Sequence, residues 1–408
     1  MALEYCPIDT HHQVSIQTTI QDVDADDWNR MAAGNAFASH GWLLTCERCW
    51  LAIFEPRYFV LRIDGQPAGV AACYWVKKGS LVETLDHLLL GRLHWFADIA
   101  GISFLPALVC GPPVPGYGWH IGVDMDLNKR DRNVAYKEML DAIETEADHL
   151  GVALSFALVL NSEHELCDLL ASRGYMSSRN IPAAIMDVSW SSMDEYFARL
   201  PNKRRREFRR QRRRNLDAGV RIELLRNSES RDMHELFLAL LDRHARRCGS
   251  PGLPFGKGFI EELRENMDDQ ALLFVARKGS AIGGVYLALR RGDSVVAFAV
   301  AIDPEVSGND FTHFELVYNT MIEYAIEDGV ERILFGRGLY EVKLRRGCRF
   351  VDTMIFTRPN GMLRAPQRWW YCFASLWNHY KLKPRIRRHL ASPSRPACFS
   401  RFKRNASP

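Results

Sequence analysis

The chain is poor in the features that mark several common functional classes. It has no window of about 18 uninterrupted apolar residues, so no spanning helix is expected. Its best candidate, Leu93–Gly111, is broken by Asp98, Gly101 and Pro106 and reads as buried core, with a membrane-surface segment as the alternative. The start, "MALEYCPIDTHHQ", has no basic segment followed by an apolar run, so no secretory leader is expected. Ten cysteines lie scattered without a framework, which fits a reducing cytoplasm. The lone C-x-x-C, Cys46–Cys49, has no second pair downstream and sits in an apolar helical pattern, so core packing is expected there rather than a metal. A Walker-type loop, a nucleophile elbow and H-E-x-x-H are also missing, which argues against an NTPase, a serine hydrolase or a zinc protease.

What is present is a chain of 408 residues, 47% apolar and 25% charged, long enough for two or three globular domains. The net charge of +4 hides its distribution. Lys203–Arg214 packs nine Lys/Arg and one acid, Glu207, into twelve residues, and Lys381–Pro408 carries nine Lys/Arg and no acid. Basicity this local implies anion sites rather than general stickiness.

The chain also repeats itself. "YFVLRIDGQPAGVAACYWVKK" (Tyr58–Lys78) and "LFVARKGSAIGGVYLALRR" (Leu273–Arg291) align without a gap. Phe59, Val60, Arg62, Gly69 and Val70 match Phe274, Val275, Arg277, Gly284 and Val285, all displaced by 215 positions. Each copy reads as strand, turn (Asp64-Gly65; Lys278-Gly279) and strand, preceded by helical stretches. The second copy continues into a strand, an amphipathic helix through Val317, Met321, Tyr324 and Ala325 that ends at Gly329, and another strand. The first has a comparable finish in "RNVAYKEMLDAIETEADHLG" and "VALSFALVL". Two similar α/β domains with mixed sheets follow from this order.

That order resembles the Gcn5-related N-acyltransferase (GNAT) superfamily in its tandem form, and four segments are similar to FemAB-like N-acyltransferases. They are "NAFASHGWLLTCE" (Asn35–Glu47, with Ala36 where the family has proline), "PNKRRREFRRQRRRNLDAGVRI", "HFELVYNTMIEYAIEDGVERILFG" (His313–Gly336) and "GRGLYEVKLRRGC" (Gly336–Cys348). The resemblance covers most of residues 35–355. The implied division is an N-terminal GNAT-like domain over 1–192, a basic inter-domain helix over 193–219, a C-terminal GNAT-like domain over 220–365 and an aromatic, basic extension over 366–408.

The arginine-rich run carries helix punctuation, with Asn202 to cap it, Phe208 and Leu216 to anchor it and Gly219 to close it. It is expected to stand between the domains and hold a phosphate-bearing substrate, since guanidinium forks match phosphate oxygens. A solvated basic surface and a DNA-binding arm are the other readings. Lys203, Arg206, Arg209, Arg210 and Arg213 from this run, with Arg337 and Arg346, form the expected substrate-binding set.

Acyl transfer to an amine needs a neutral amine, a positioned carbonyl and stabilisation of the tetrahedral oxygen. The resemblance assigns the last task to Lys343, which is otherwise an ordinary strand-end lysine. Tyr340 is a candidate proton donor or a structural tyrosine. Glu315 either accepts the amine's proton or simply favours the helix N-terminus, and His313 beside it is the alternative base. No metal is expected. The interval Asp303–His313 lacks the glycine pattern and basic residue with which coenzyme-A-dependent relatives hold pyrophosphate. This shifts the expected co-substrate from acyl-CoA toward aminoacyl-tRNA, with no tightly bound cofactor. The acceptor is a small or phosphate-bearing amine, and the reaction is cytoplasmic. The aromatic and basic extension docks on the core, stacks on RNA or contacts an anionic lipid surface. A non-catalytic protein binding RNA or an envelope precursor is the competing class.

Overall fold

The computed structural model describes residues 11–32, 34–50, 54–77, 103–111, 117–225, 231–247 and 254–359, together with 88, 99, 369 and 371–373. The basic tail Lys381–Pro408, Trp370, Trp377 and most of the segment 93–102 lie outside the described residues. No described helix is long and apolar enough to cross a membrane.

Two sheets form the frame. The strands are β1 (His12–Gln17), β2 (Phe54–Ile63), β3 (Gln66–Val76), β4 (Ala107–Cys110), β5 (Ile121–Val123), β6 (Ala153–Leu160) and β7 (Met176–Arg179). Then follow β8 (Ala183–Asp187), β9 (Val220–Leu224), β10 (Ala271–Lys278), β11 (Ala281–Arg291), β12 (Ser294–Ile302), β13 (Arg332–Gly336), β14 (Arg349–Val351) and β15 (Thr353–Arg358). The first sheet runs β1-β2-β3-β4-β6-β15-β7, with β5 also on β3, and the second runs β9-β10-β11-β12-β13-β8-β14. Each is mixed, with one parallel pair: β4 with β6, and β12 with β13.

The 215-residue displacement survives as strand register. Phe59 pairs Ala71 and Val60 pairs Val70; Phe274 pairs Tyr286 and Val275 pairs Val285. Both hairpins slip register at the same place, between Leu61 and Arg62 and between Ala276 and Arg277. The first hairpin turns on Asp64-Gly65, both at positive φ, as a two-residue loop prefers. The second turns on Gly279-Ser280, one residue later than expected.

The sheets exchange strands. β8 lies within the segment expected to belong to the first domain, yet it pairs with β13 and β14 of the second sheet. β15 follows β14 but returns to the first sheet between β6 and β7. The borders at 192 and 220 therefore do not separate the sheets. Where the two crossings meet, Arg179 pairs with Asp352 at 3.4 Å, Asn180 N–H donates to Thr353 O at 2.8 Å and Thr353 Oγ1 donates to Ile181 O at 2.9 Å.

Apolar faces stack these sheets with helices. Helix Lys129–His149 covers the outer face of the first sheet through Ala135, Met139, Leu140 and Ile143. Between the sheets lies a shared layer: helices Ala25–Met31 and His40–Cys49 from one side, Arg231–Arg247 and Phe259–Met267 from the other. Cys46 and Cys49 are buried in this layer. The outer face of the second sheet carries helices Met193–Arg199 and Asn202–Asp217 and the helical segment from Thr312 to Glu327.

The arginine-rich helix Asn202–Asp217 is therefore not wedged between the sheets. It lies on the far face of the second, and its buried side is Phe208, Gln211 and Asn215. Leu216 is 65% exposed instead of anchoring, because the docking face there is polar: Asn215 Nδ2 donates to Asp310 O and Thr312 Oγ1. Pro201 precedes the helix without a side-chain cap, and Asn202 Oδ1 accepts from Arg205 instead. Gly219 does close it, at φ 75°.

Candidate active site

The two parallel strands of the second sheet open at their C-terminal ends, the usual place for a ligand in an open α/β sheet. β12 and β13 pair only from Ser294/Arg332 to Val296/Leu334, although both continue. β12 bulges where they part, Ala297 and Ala299 facing consecutive residues of β11 with Phe298 between them. Ala297–Val300 are only half-buried, although β12 is an interior strand. Beyond Val296, about every second backbone N–H and C=O on that edge lacks a ladder partner from β13.

β13 ends in the turn Gly336–Leu339, where Gly336, Gly338 and Leu339 all have positive φ. A left-handed leucine is uncommon and needs the surroundings to hold it. Helix Tyr340–Arg345 follows and returns Lys343 beneath the turn. Lys343, 4% exposed, donates from Nζ to Phe335 O at 2.7 Å, Gly336 O at 3.1 Å and Arg337 O at 2.7 Å. An ammonium has three donors, and all three are spent. Burial pushes Lys343 down to about 8, against the pull of three carbonyls that only the charged form satisfies fully. The role expected for Lys343 at the tetrahedral oxygen would require one of these bonds to be released. Tyr340 is similarly engaged, donating to Pro182 O at 2.7 Å, and burial raises it further from proton donation.

The opposite wall begins at Thr312. A π-helical turn, Glu315–Asn319, interrupts the helix, a distortion frequent at functional sites. It brings Asn319 Nδ2 within 2.7 Å of Glu315, whose other oxygen lies 3.3 Å from Arg212 Nε. Arg212 also forks onto Glu323 with two 2.9 Å bonds. Burial raises Glu315 above the usual carboxylate range, while Asn319 and Arg212 pull the other way. Glu315 is thus held inside a clamp.

His313 differs from these. Its ring stands edge-on to Phe314 and 6.2 Å from Tyr318, which in turn packs 5.2 Å from Phe335 at the end of β13. Neither ring nitrogen has a hydrogen-bond partner among the described residues, and the side chain is not fully enclosed. Burial first, then the charges of Arg346, His244 and Lys343, pushes it down to about 4, so the imidazole is neutral near pH 7. Of the four expected catalytic residues, it alone presents an unengaged reacting atom.

The expected binding arginines divide into three groups. Arg346 is buried at the site, its Cζ 4.5, 5.1 and 4.3 Å from the rings of Phe208, Phe314 and Tyr318. Arg337 lies on the turn and offers its carbonyl to Lys343. Lys203, Arg206, Arg209, Arg210 and Arg213 point away on the solvent side of their helix, where Arg209 pairs with Asp194. The helix still reaches the site, since Arg204 donates to Leu344 O and Arg345 O at the end of helix Tyr340–Arg345. Sequence reasoning missed His244, whose charge reaches His313, and Arg247, which donates to His244 Nδ1 and to Ile302 O at the end of β12. No motif marks either. It also missed Arg212 as the clamp, hidden among identical neighbours.

The first sheet has the corresponding parting, beyond Cys110/Phe156, but it is filled. Gly118 N–H donates to Leu158 O, and His120, fully buried, places Nε2 2.6 Å from Ala157 O. Glu163 accepts from Trp119 N–H and Leu160 N–H at 2.8 and 2.9 Å. Burial pushes Glu163 up, yet His120 and these two N–H groups outweigh it and hold it below the usual carboxylate range.

Two mixed sheets related by one register, each with a parallel pair parting at its C-terminal end, define a tandem GNAT-like acyltransferase fold. The chain belongs to the FemAB-like family, described as peptidoglycan biosynthesis/recognition, whose model matches residues 19–358. Among solved structures it is similar to FemX (13% identity, TM-score 0.52, covering 84% of this chain and 96% of that one). It is also similar to the C-terminal domain of a putative lysylphosphatidylglycerol synthetase from Agrobacterium fabrum (12% identity, TM-score 0.52, covering 86% and 96%). A conserved protein of unknown function from Bacteroides thetaiotaomicron is similar at 12% identity and TM-score 0.51, covering 85% and 100%. Identities this low speak for the fold alone. No curated protein matches the chain.

Proposed function

We propose that the chain is an N-acyltransferase whose second unit alone carries the chemistry, moving an acyl or aminoacyl group onto an amine. One observation carries the reading: His313, with no hydrogen bond to a described residue, packs through Tyr318 onto Phe335 at the end of β13, where the pairing with β12 has stopped, and burial favours its neutral form. The amine nitrogen attacks the acyl carbonyl carbon and forms the C–N bond. His313 takes the proton that the nitrogen sheds, and the proton then passes to the departing oxygen or sulfur as its bond to the acyl carbon breaks. Backbone N–H groups on the unpaired β12 edge are the natural donors for the tetrahedral oxygen, because Lys343 has none left. Lys343 and Tyr340 act as positioning residues that hold the left-handed turn facing that edge.

Aminoacyl-tRNA is the favoured donor, with an acyl-thioester as the alternative. The solvent-facing row Lys203, Arg206, Arg210 and Arg213 supports a polyanionic partner, since these residues have no acidic partners among the described residues. Such a donor implies work in the cytoplasm. A panel of charged tRNAs and acyl-CoAs, assayed for transfer to amines by mass of the product, tests the reading. Transfer from at least one donor, lost in His313→Gln, is expected. Binding without turnover by every donor would favour a non-catalytic envelope-precursor or RNA binder.

A further inference from the structure

We propose that Arg346 is the docking point for an anionic group with two coplanar oxygens, a carboxylate or phosphate borne by the acceptor, and that docking readies the neighbouring His313.

Arg346 is 2% exposed, and its Nε and Nη2 are buried without a hydrogen-bond acceptor among the described residues. The rings of Phe208, Phe314 and Tyr318 around the guanidinium stabilise its charge but supply no acceptor. An unmet buried donor loses its hydration without recompense, so a fold retains such a group for a reason. Two acids, Glu207 and Glu315, reach Arg346 by charge, yet neither gives it a hydrogen bond: Glu207 Oε1 accepts from Gln211 Nε2 at 3.4 Å, and Glu315 is held by Asn319 and Arg212. Nε and Nη2 form one edge of the guanidinium fork, the edge that takes two oxygens side by side. That unpartnered edge is shaped to receive an acid.

His313 feels the same guanidinium. The charges that face it are Arg346 and Lys343 from the segment after β13, and His244 from helix Arg231–Arg247. His244 carries Arg247 against its Nδ1. On its own segment the nearest acid, Glu315, is neutralised by Arg212. Among the described residues the cations facing it are thus Arg346 and Lys343, since burial and Arg247 hold His244 itself below its ordinary value. An anion on Arg346 cancels the largest of these charges and lets the imidazole hold a proton more readily, which makes it a better acceptor for the amine's proton. The inference rests on the acyl-transfer reading only in assigning the anion to the acceptor; its test needs no turnover.

The test is an NMR titration of the full chain carrying labelled histidine, with the His313 signal assigned by its loss in His313→Gln. The pH midpoint of His313 is read in chloride, in acetate and in inorganic phosphate at one ionic strength. A rise of about one pH unit, tenfold in proton affinity, is expected with acetate, phosphate or both, and which one acts assigns the group. Arg346→Lys keeps the charge without the fork and should abolish the rise. An unchanged midpoint in both anions, or the same rise in Arg346→Lys, overturns the proposal. If that variant does not fold, Arg346→Gln takes its place, and the wild-type comparison alone remains decisive against the idea.

Discussion

The two halves of the molecule meet one geometric problem, a strand that leaves its parallel neighbour and turns into a helix, and they answer it with opposite charges. In the first half Glu163 sits under the turn and gathers backbone N–H groups, while Gly118 and His120 fill the parting. In the second half Lys343 sits under the turn and gathers backbone carbonyls, and among the described residues β12 and β13 do not pair beyond Val296/Leu334. The charged residue beneath each turn is a staple, so lysine at this position is not by itself a sign of chemistry. On the proposed function, what separates a working unit from a supporting one is whether side chains bridge the strands beyond the staple.

Four measurements break or sharpen that contrast. His313→Gln should lower kcat by about 10²–10⁴-fold at saturating donor with little change in melting temperature. His120→Gln, in the filled parting, should leave product formation intact, and an equal loss in both would erase the distinction between the halves. Lys343→Met should cost about 3 kcal/mol in urea unfolding, since three buried carbonyls lose their donor. Full stability with abolished turnover would return Lys343 to the chemistry.

The third measurement is pH. His313 is depressed from its ordinary 6.5 to about 4 in the fold, so between these values the unfolded chain binds more protons. Stability from this group is complete above about 6.5 and lost as pH falls toward 4, about 3 kcal/mol. Acid unfolding of His313→Gln compared with wild type should show that slope missing. The smallest stability effect belongs to the exposed row: Arg206→Glu with Arg210→Glu should change unfolding free energy by no more than about 0.5 kcal/mol each. The same pair should weaken binding to a tRNA and flatten its salt dependence, and an unchanged slope would remove the row from the interface.

Much of this architecture can be read from residues. The 215-residue displacement, down to the shared register slip, is visible because a hairpin's side chains and turn are local. The helix at 202–217 is visible for the same reason, as is Phe208 on its buried side. Leu216 misleads because hydrophobicity marks what prefers to be buried, whereas the docking face there is made by the hydrogen bonds of Asn215. The strand exchange is hidden, since β8 and β15 are short and pair with partners far along the chain. Lys343 matches the family's pattern by position, but only coordinates reveal that its nitrogen points into the turn. The filled first parting had no signal at all, because Gly118 and His120 lie outside any motif.

The late return of β15 sets a schedule for synthesis. β6 and β7 are translated about 180–200 residues before the strand that belongs between them, an interval of roughly 10–40 s at ordinary elongation rates. Throughout it two interior edges of the nascent first sheet stand bare to whatever else is in reach, the condition under which strands recruit wrong partners. A chaperone waiting at the ribosome, or a slowly translated stretch placed after rather than before residue 353, would matter more to this protein than to one whose sheets close in chain order.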